Sequence, residues 1–179
     1  MKDEIEKILR TLGEDPTRAG LTGTPSRVEE SLKFLTAGYG LDINQVINGA
    51  IYEEDYNELV LVKDIKIYSL CEHHMLPFVG RAHIGYIPNK HIIGLSKIAR
   101  VADMFARRLQ VQERLTSQIV DALNDKVKPK GVAAIIEAEH FCMMMRGVEK
   151  QNSTMVTSAM RGIFLKDART REEFLNLTK

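Results

Sequence analysis

The spacing of apolar residues changes period twice along this chain, and that change limits the fold more than any other feature. Two strand-like runs rich in Val, Ile and Leu come first, ELVLVKDIKIYSL and FVGRAHIGYIP. Two helical patterns follow, GLSKIARVADMFARRL and QERLTSQIVDALNDKV, and then two more strand-like runs, GVAAIIEAEHFCMMM and STMVTSAMRGIFL. Strand runs so close in sequence form hairpins. The order predicts an α+β domain of two antiparallel hairpins with two intervening helices.

Helical patterns precede the first strand-like run, so one domain of 179 residues divides into a helical part, 1–50, and a catalytic part, 51–179. Helix starts are predicted from residues that cap free N–H groups. Thr24 before a proline and Ser96 are expected as N-caps, and Thr170 with Glu173 matches a capping box.

A sheet of four strands would have two edges without partners, which proteins avoid exposing. Strands from other subunits could pair with these edges, or the chain's own helices could cover them. The sequence pattern leaves both possibilities open.

The composition excludes several functions. The net charge is +1, which does not favour nucleic acid or an acidic membrane surface as a partner. No apolar run is long enough for a membrane span, and the amphipathic start does not look like a secretory signal. A cytoplasmic location is therefore expected, where a disulfide between Cys71 and Cys142 is disfavoured.

The chain has only two cysteines, and each lies beside histidines. The candidate ligands are Cys71, His73, His74, His140 and Cys142. If the third strand run continues without interruption, His140 and Cys142 point to the same face. Thiolates with imidazoles favour zinc, in a closed site with four protein ligands or an open catalytic site with three. Binding through Cys71, His74 and Cys142 would leave the two other histidines free for proton transfer.

Basic residues near helix starts could bind an anion. Ser96, Lys97 and Arg100 open a helix, where free N–H groups and the helix dipole favour negative charge. Arg146 would share the face of Cys142 on a straight strand, and Arg27 lies in the first turn of its helix. A solvated basic surface is the simpler explanation for these residues.

Gln112 and Glu113 begin the second central helix. The helix dipole alone explains an acidic residue there. A carboxylate in this position could also accept two hydrogen bonds from a guanidine-like edge, such as that of guanine.

Five motifs together resemble the GTP cyclohydrolase I family: CEHH, GYIPNKHIIGLSKIAR, QVQERLT, EAEHFCMMMRG and TSAMRGIF. Enzymes of this family use zinc to convert GTP to dihydroneopterin triphosphate and formate. The resemblance implies the tunnelling fold, in which hairpins of several subunits form one β-barrel. It also implies a homodecamer of two pentamers and an allosteric, cytoplasmic enzyme of tetrahydrofolate biosynthesis and one-carbon metabolism.

The resemblance also implies a role for each matching residue. The zinc ligands would be Cys71, His74 and Cys142, and the acid–base residues would be His73 and His140, assisted by Ser96. Guanine would be held by Gln112 and Glu113. The ribose and triphosphate would be surrounded by Ser96, Lys97, Arg100 and Arg146, with Arg27 reaching the triphosphate at a subunit interface.

Two other functions fit parts of the sequence. A related nitrile reductase acting on a deazaguanine would use a nucleophilic cysteine and no zinc. A non-catalytic zinc-stabilised module would need a fourth protein ligand, and it would leave the basic residues and Glu113 unexplained.

Overall fold

A computed structural model describes all 179 residues. The helices are α1 (Lys2–Thr11), α2 (Thr24–Leu35), α3 (Ile43–Ile47), α4 (Leu95–Ala106), α5 (Gln112–Val127), α6 (Phe141–Met144), α7 (Ile163–Lys166) and α8 (Ala168–Leu177), with a 3₁₀ turn at Ala37–Gly40. The strands are β1 (Ile51–Glu53), β2 (Val60–Cys71), β3 (Pro77–Ile87), β4 (His91–Ile93), β5 (Leu109–Gln110), β6 (Gly131–His140) and β7 (Met155–Gly162).

The main sheet has five strands in the order β5-β2-β3-β6-β7. The pairs β2–β3, β3–β6 and β6–β7 are antiparallel, so the two predicted hairpins and the α+β class are confirmed. The two-residue strand β5 pairs with β2 in parallel, and β1 pairs with β4 in a separate small sheet. The sequence pattern missed these short strands because two or three residues carry no readable period.

Helices α4 and α5 pack on one face of the sheet and form the main core. Alternate residues of a strand share a face, so β3 directs Phe78, Ala82, Ile84 and Tyr86 into this core. The opposite face is covered in part by α7 and α8, which contribute the fully buried Phe164 and Phe174. None of the helices combines the length and the apolar character that a membrane crossing requires.

Three predicted helix caps are wrong. Helix α2 has Gly23 as its N-cap and α4 has Gly94, and neither start has a side-chain cap. Thr24 and Ser96 therefore lie inside their helices. The last helix begins after Asp167, whose carboxylate accepts hydrogen bonds from the backbone N–H groups of Arg169 and Thr170. Because Asp167 already accepts from the Thr170 N–H, this group is not left for Glu173, and the predicted capping box does not form.

The third strand run is shorter than predicted. Strand β6 ends at His140, where its pairing with β3 reaches the register Phe78–His140. The following residues form the helical turn α6, closed by a bond from Met145 N–H to the Phe141 carbonyl. The prediction that Cys142 and Arg146 share one strand face with His140 is therefore wrong. An apolar run such as FCMMM suits a strand or a helix equally well.

The outer edge of β7 has no strand partner within the chain. Helices α1 and α2 contain no buried residue, although Ile8 on α1 and Phe34 on α2 are large apolar side chains that are exposed. Helices α5 and α7 both contact β7. Pairing of this edge with a strand of another subunit stays a prediction.

Candidate active site

Three potential ligand side chains meet where β2 ends. The ligand atoms of Cys71, His74 and Cys142 all lie within 4.8 Å of one another. Cys71 is buried, and its carbonyl accepts hydrogen bonds from the N–H groups of His74 (3.3 Å) and Met75 (2.8 Å). Met75 has a positive φ of 54°, which tightens this turn. The turn folds the histidine back so that its Nδ1 lies 4.0 Å from the Cys71 Sγ.

The sheet explains how Cys142 reaches this turn from far along the chain. Strand β6 runs antiparallel to β3, and its last residue, His140, lies opposite Phe78 near the start of β3. The start of β3 is also where the turn from β2 ends. The helical turn α6 follows immediately and carries Cys142 to the two other side chains.

The chemistry of this group suits zinc. Two thiolates and one imidazole form a donor set that zinc prefers, and three protein ligands leave a coordination position for water. Burial and the neighbouring Cys71 thiol raise the pKa of Cys142. The thiol is therefore protonated at neutral pH without a metal, and a bound cation would displace that proton.

His73 and His140 stand outside the three-residue group. The side chain of His73 is 63% exposed, and its Nδ1 lies 3.9 Å from the Cys71 Sγ. His140 is half-buried and stacks on Phe78, with ring centroids 4.7 Å apart and planes 7° from parallel. Burial lowers the pKa of His140, against a smaller opposing effect of Glu113, so the ring is neutral at pH 7. Both histidines are thus near the ligand group and free of it.

The Arg146 side chain contacts His74, although Arg146 is not on a strand. Its guanidinium donates to the Nε2 of His74 at 3.2 Å. A guanidinium can only donate, so the Nε2 of His74 is the acceptor in this contact. Arg146 is otherwise exposed beside His74.

The first turn of α5 contacts both His140 and the turn after β2 that carries Cys71 and His74. Gln112 is 1% exposed, and its Oε1 is 2.8 Å from the His140 Nε2. Glu113 is exposed and has no hydrogen-bond partner among the side chains around it. Arg114 forms an ion pair with Glu72 and thereby ties the metal-candidate turn to α5. Sequence reasoning missed Arg114, although its place beside Glu113 was a signal.

The remaining basic residues do not contact this group within one chain. Lys97 donates from Nζ to the Val46 carbonyl at 3.1 Å. Arg100 is exposed at the rim of a pocket of about 330 Å³. Ser96 and Arg27 are also exposed. The structure therefore brings together the ligands, both histidines, Arg146 and the start of α5, and it leaves the α4 residues and Arg27 apart.

The sequence comparisons with known proteins agree on one family. The sequence profile described as GTP cyclohydrolase I matches residues 1–179. A GTP cyclohydrolase 1 from Leptospira biflexa is 60% identical over 100% of this chain and 98% of its own. GTP cyclohydrolase 1 2 from a Nostoc species is 60% identical over 100% of this chain and 83% of its own. GTP cyclohydrolase 1 from Campylobacter jejuni is 56% identical over 98% of this chain and 93% of its own. An apo archaeosine synthase QueF-Like aligns with a TM-score of 0.49 and 16% identity over 58% of this chain and 93% of its own.

Proposed function

Because this chain belongs to the GTP cyclohydrolase I family over its whole length and has GTP cyclohydrolase I activity, we propose how its residues divide that reaction. The reaction consumes GTP and one water and forms dihydroneopterin triphosphate and formate. The observation that carries the proposal is the Cys71–His74–Cys142 group, because it offers an open metal position next to two free histidines.

We infer that this group holds zinc. When bound, zinc would act as a Lewis acid that makes water nucleophilic near neutral pH. The donor set fits the ion, as the two cysteine sulfurs and one imidazole are already close together in the folded chain. A cytosolic location suits this site, since reducing conditions keep both thiols available.

His73 and His140 transfer the protons of the reaction. His140 serves the purine, where a proton placed on N7 makes C8 electrophilic toward water. Two hydrolytic steps at C8 release that carbon as formate. The ribose then opens, rearranges and closes onto the freed amine with loss of one water, so the whole reaction consumes one water net, and His73 with Ser96 moves the protons of these steps. The exposure of His73 beside the metal position supports its access to the ribose.

Substrate recognition divides between the two central helices. Glu113 accepts from N1–H and the 2-amino group of guanine, which its exposed and unpaired carboxylate allows. The amide of Gln112 is engaged inside the protein, so its contact with guanine is made by its backbone N–H in the first turn of α5. Lys97, Arg100, Arg146 and, from a subunit interface, Arg27 bind the triphosphate, with Ser96 at the ribose.

We propose that the chain assembles as a homodecamer of two pentamers, with the β-hairpins closing a barrel. The unpaired edge of β7 supports this assembly because a strand of a second copy would satisfy its backbone groups. The exposed apolar residues of α1 and α2 also need a cover, and the separation of Arg27 from the metal group fits a site completed by another subunit. Sedimentation of the purified protein should give ten subunits, and a monomer at micromolar concentration would contradict the barrel.

The activity is tested directly with the purified zinc-loaded protein and GTP. We expect formate and the pterin chromophore to appear in equal amounts, because each turnover releases C8 once. ATP serves as the control substrate and should give neither product, since adenine lacks the donors that Glu113 binds. Zinc-loaded protein that leaves GTP unchanged would contradict the proposed division of roles.

The nitrile reductase alternative is less well supported. Both cysteines belong to the metal-candidate group, and burial raises the pKa of Cys142. A thiol with a raised pKa is a poor nucleophile near neutral pH, because the thiolate is the reactive form.

A further inference from the structure

Gln112 occupies an unusual place for a residue expected to bind substrate. It is the first residue of α5, yet its side chain is 1% exposed and points into the protein. Its Nε2 lies within hydrogen-bond distance of three acceptors: the Ile136 carbonyl (3.0 Å), the Met155 carbonyl (3.0 Å) and the Thr157 hydroxyl (3.1 Å). The side chain therefore links α5 to β6 and β7 behind the active-site surface.

These acceptors determine which way the amide faces. A backbone carbonyl can only accept a hydrogen bond, so the NH₂ group of Gln112 must face Ile136 and Met155. The amide oxygen is then left to face His140, 2.8 Å from its Nε2. An amide oxygen also can only accept, and the histidine nitrogen must therefore be the donor. The opposite amide orientation would set its oxygen against two carbonyl oxygens, neither of which can donate.

Two threonines support this polarity. The Thr116 hydroxyl donates to the carbonyl of Gln112 at 2.7 Å, four residues earlier in the helix. Its oxygen can then accept from the Thr157 hydroxyl, also at 2.7 Å. With its proton directed to Thr116, Thr157 presents a lone pair to the Gln112 amide. The donors and acceptors form one consistent chain that ends at His140.

We propose that Gln112 is a positioning residue that keeps the ring proton of His140 on Nε2, in the Nε2–H tautomer. The lone pair then lies on Nδ1, the one ring nitrogen left to exchange protons, so Nδ1 takes up the proton that it passes to N7 of the purine. Stacking on Phe78 fixes the plane of the ring, and the Gln112 bond fixes its rotation within that plane. The assignment of proton exchange to Nδ1 rests on the proposed function of His140, whereas the tautomer does not.

The tautomer can be read in the wild-type holoenzyme by solid-state NMR of ¹⁵N-histidine-labelled protein. The measurement is made at about pH 8, where a histidine of ordinary pKa near 6.5 is neutral. The His140 signals are assigned by their absence from a His140→Asn variant. We expect a protonated Nε2 and an unprotonated Nδ1. A proton on Nδ1 in active wild-type protein would overturn the proposal without any use of a Gln112 variant.

The Gln112→Met variant tests the effect on catalysis, because methionine keeps the shape and removes the acceptor. We expect a mixture of His140 tautomers, a kcat lower by about 10- to 100-fold, as for other residues that orient an active group, and little change in the KM for GTP. Gln118→Met is the matched control. This half-buried glutamine of the same helix accepts from the Gln110 amide and does not touch His140, so its variant should keep kcat and the single tautomer.

The outcomes separate the possible errors. A Gln112→Met protein with one tautomer and unchanged kcat would overturn the positioning role. A raised KM with the tautomer intact would mean that the side chain binds guanine, which also overturns it. Wild-type protein that forms no pterin yet shows Nε2–H would contradict the proposed function, and with it the catalytic part of this inference.

Discussion

Replacing Cys142 with alanine is expected to remove the bound metal and the conversion of GTP together. The residue would supply one of only three protein ligands, and two ligands rarely retain zinc. Loss of the Lewis acid removes several kcal/mol of transition-state stabilisation, so the rate should fall at least about a thousandfold. Metal analysis of the dialysed protein and a pterin assay measure the two effects.

Cys142 is the better of the two cysteines for this test. It lies half-buried on the turn α6, whereas Cys71 is 5% exposed and belongs to the main core, where its loss would also affect folding. Met145→Ala is a suitable control because this side chain is 64% exposed in the same segment. One zinc ion per subunit retained by Cys142→Ala would show that the ligand assignment is wrong.

Replacing Glu113 with glutamine should weaken GTP binding by about 2–5 kcal/mol, the cost of losing a charged hydrogen-bonded pair that the bound guanine would bury. The variant keeps the shape of the side chain, but it loses the charge and can present a donor to the donors of guanine. Calorimetric titration with GTP, under conditions in which little GTP is converted, measures the loss of affinity. Inosine triphosphate lacks the 2-amino group, so its affinity should fall less than that of GTP.

Glu139→Gln is the matched control for this substitution. It changes the net charge by the same amount and is next to His140, but adjacent residues of a strand point to opposite faces. Its GTP affinity should therefore stay near the wild-type value. If Glu113→Gln also binds GTP normally, the carboxylate serves only the helix dipole, which contributes about 0.3–1 kcal/mol to stability.

Several features of this protein could be predicted from the sequence because they depend on local pattern or on the chemistry of a side chain. The apolar period distinguished the four long strands from α4 and α5, and both hairpins formed as predicted. The pairing of cysteine with histidine predicted a metal group, and its three members lie together. Five motifs in order also identified the family.

Tertiary structure decided the features that depend on contacts between distant segments. The register of β6 on β3 ended the strand at His140 and turned Cys142 away from the strand face. The three acceptors on β6 and β7 drew the Gln112 amide inward, so a residue expected at guanine became a partner of His140. Apolar period and residue type describe one segment at a time. Strand register and the direction of a buried amide are set by groups far away in sequence, and only the folded chain brings those groups into contact.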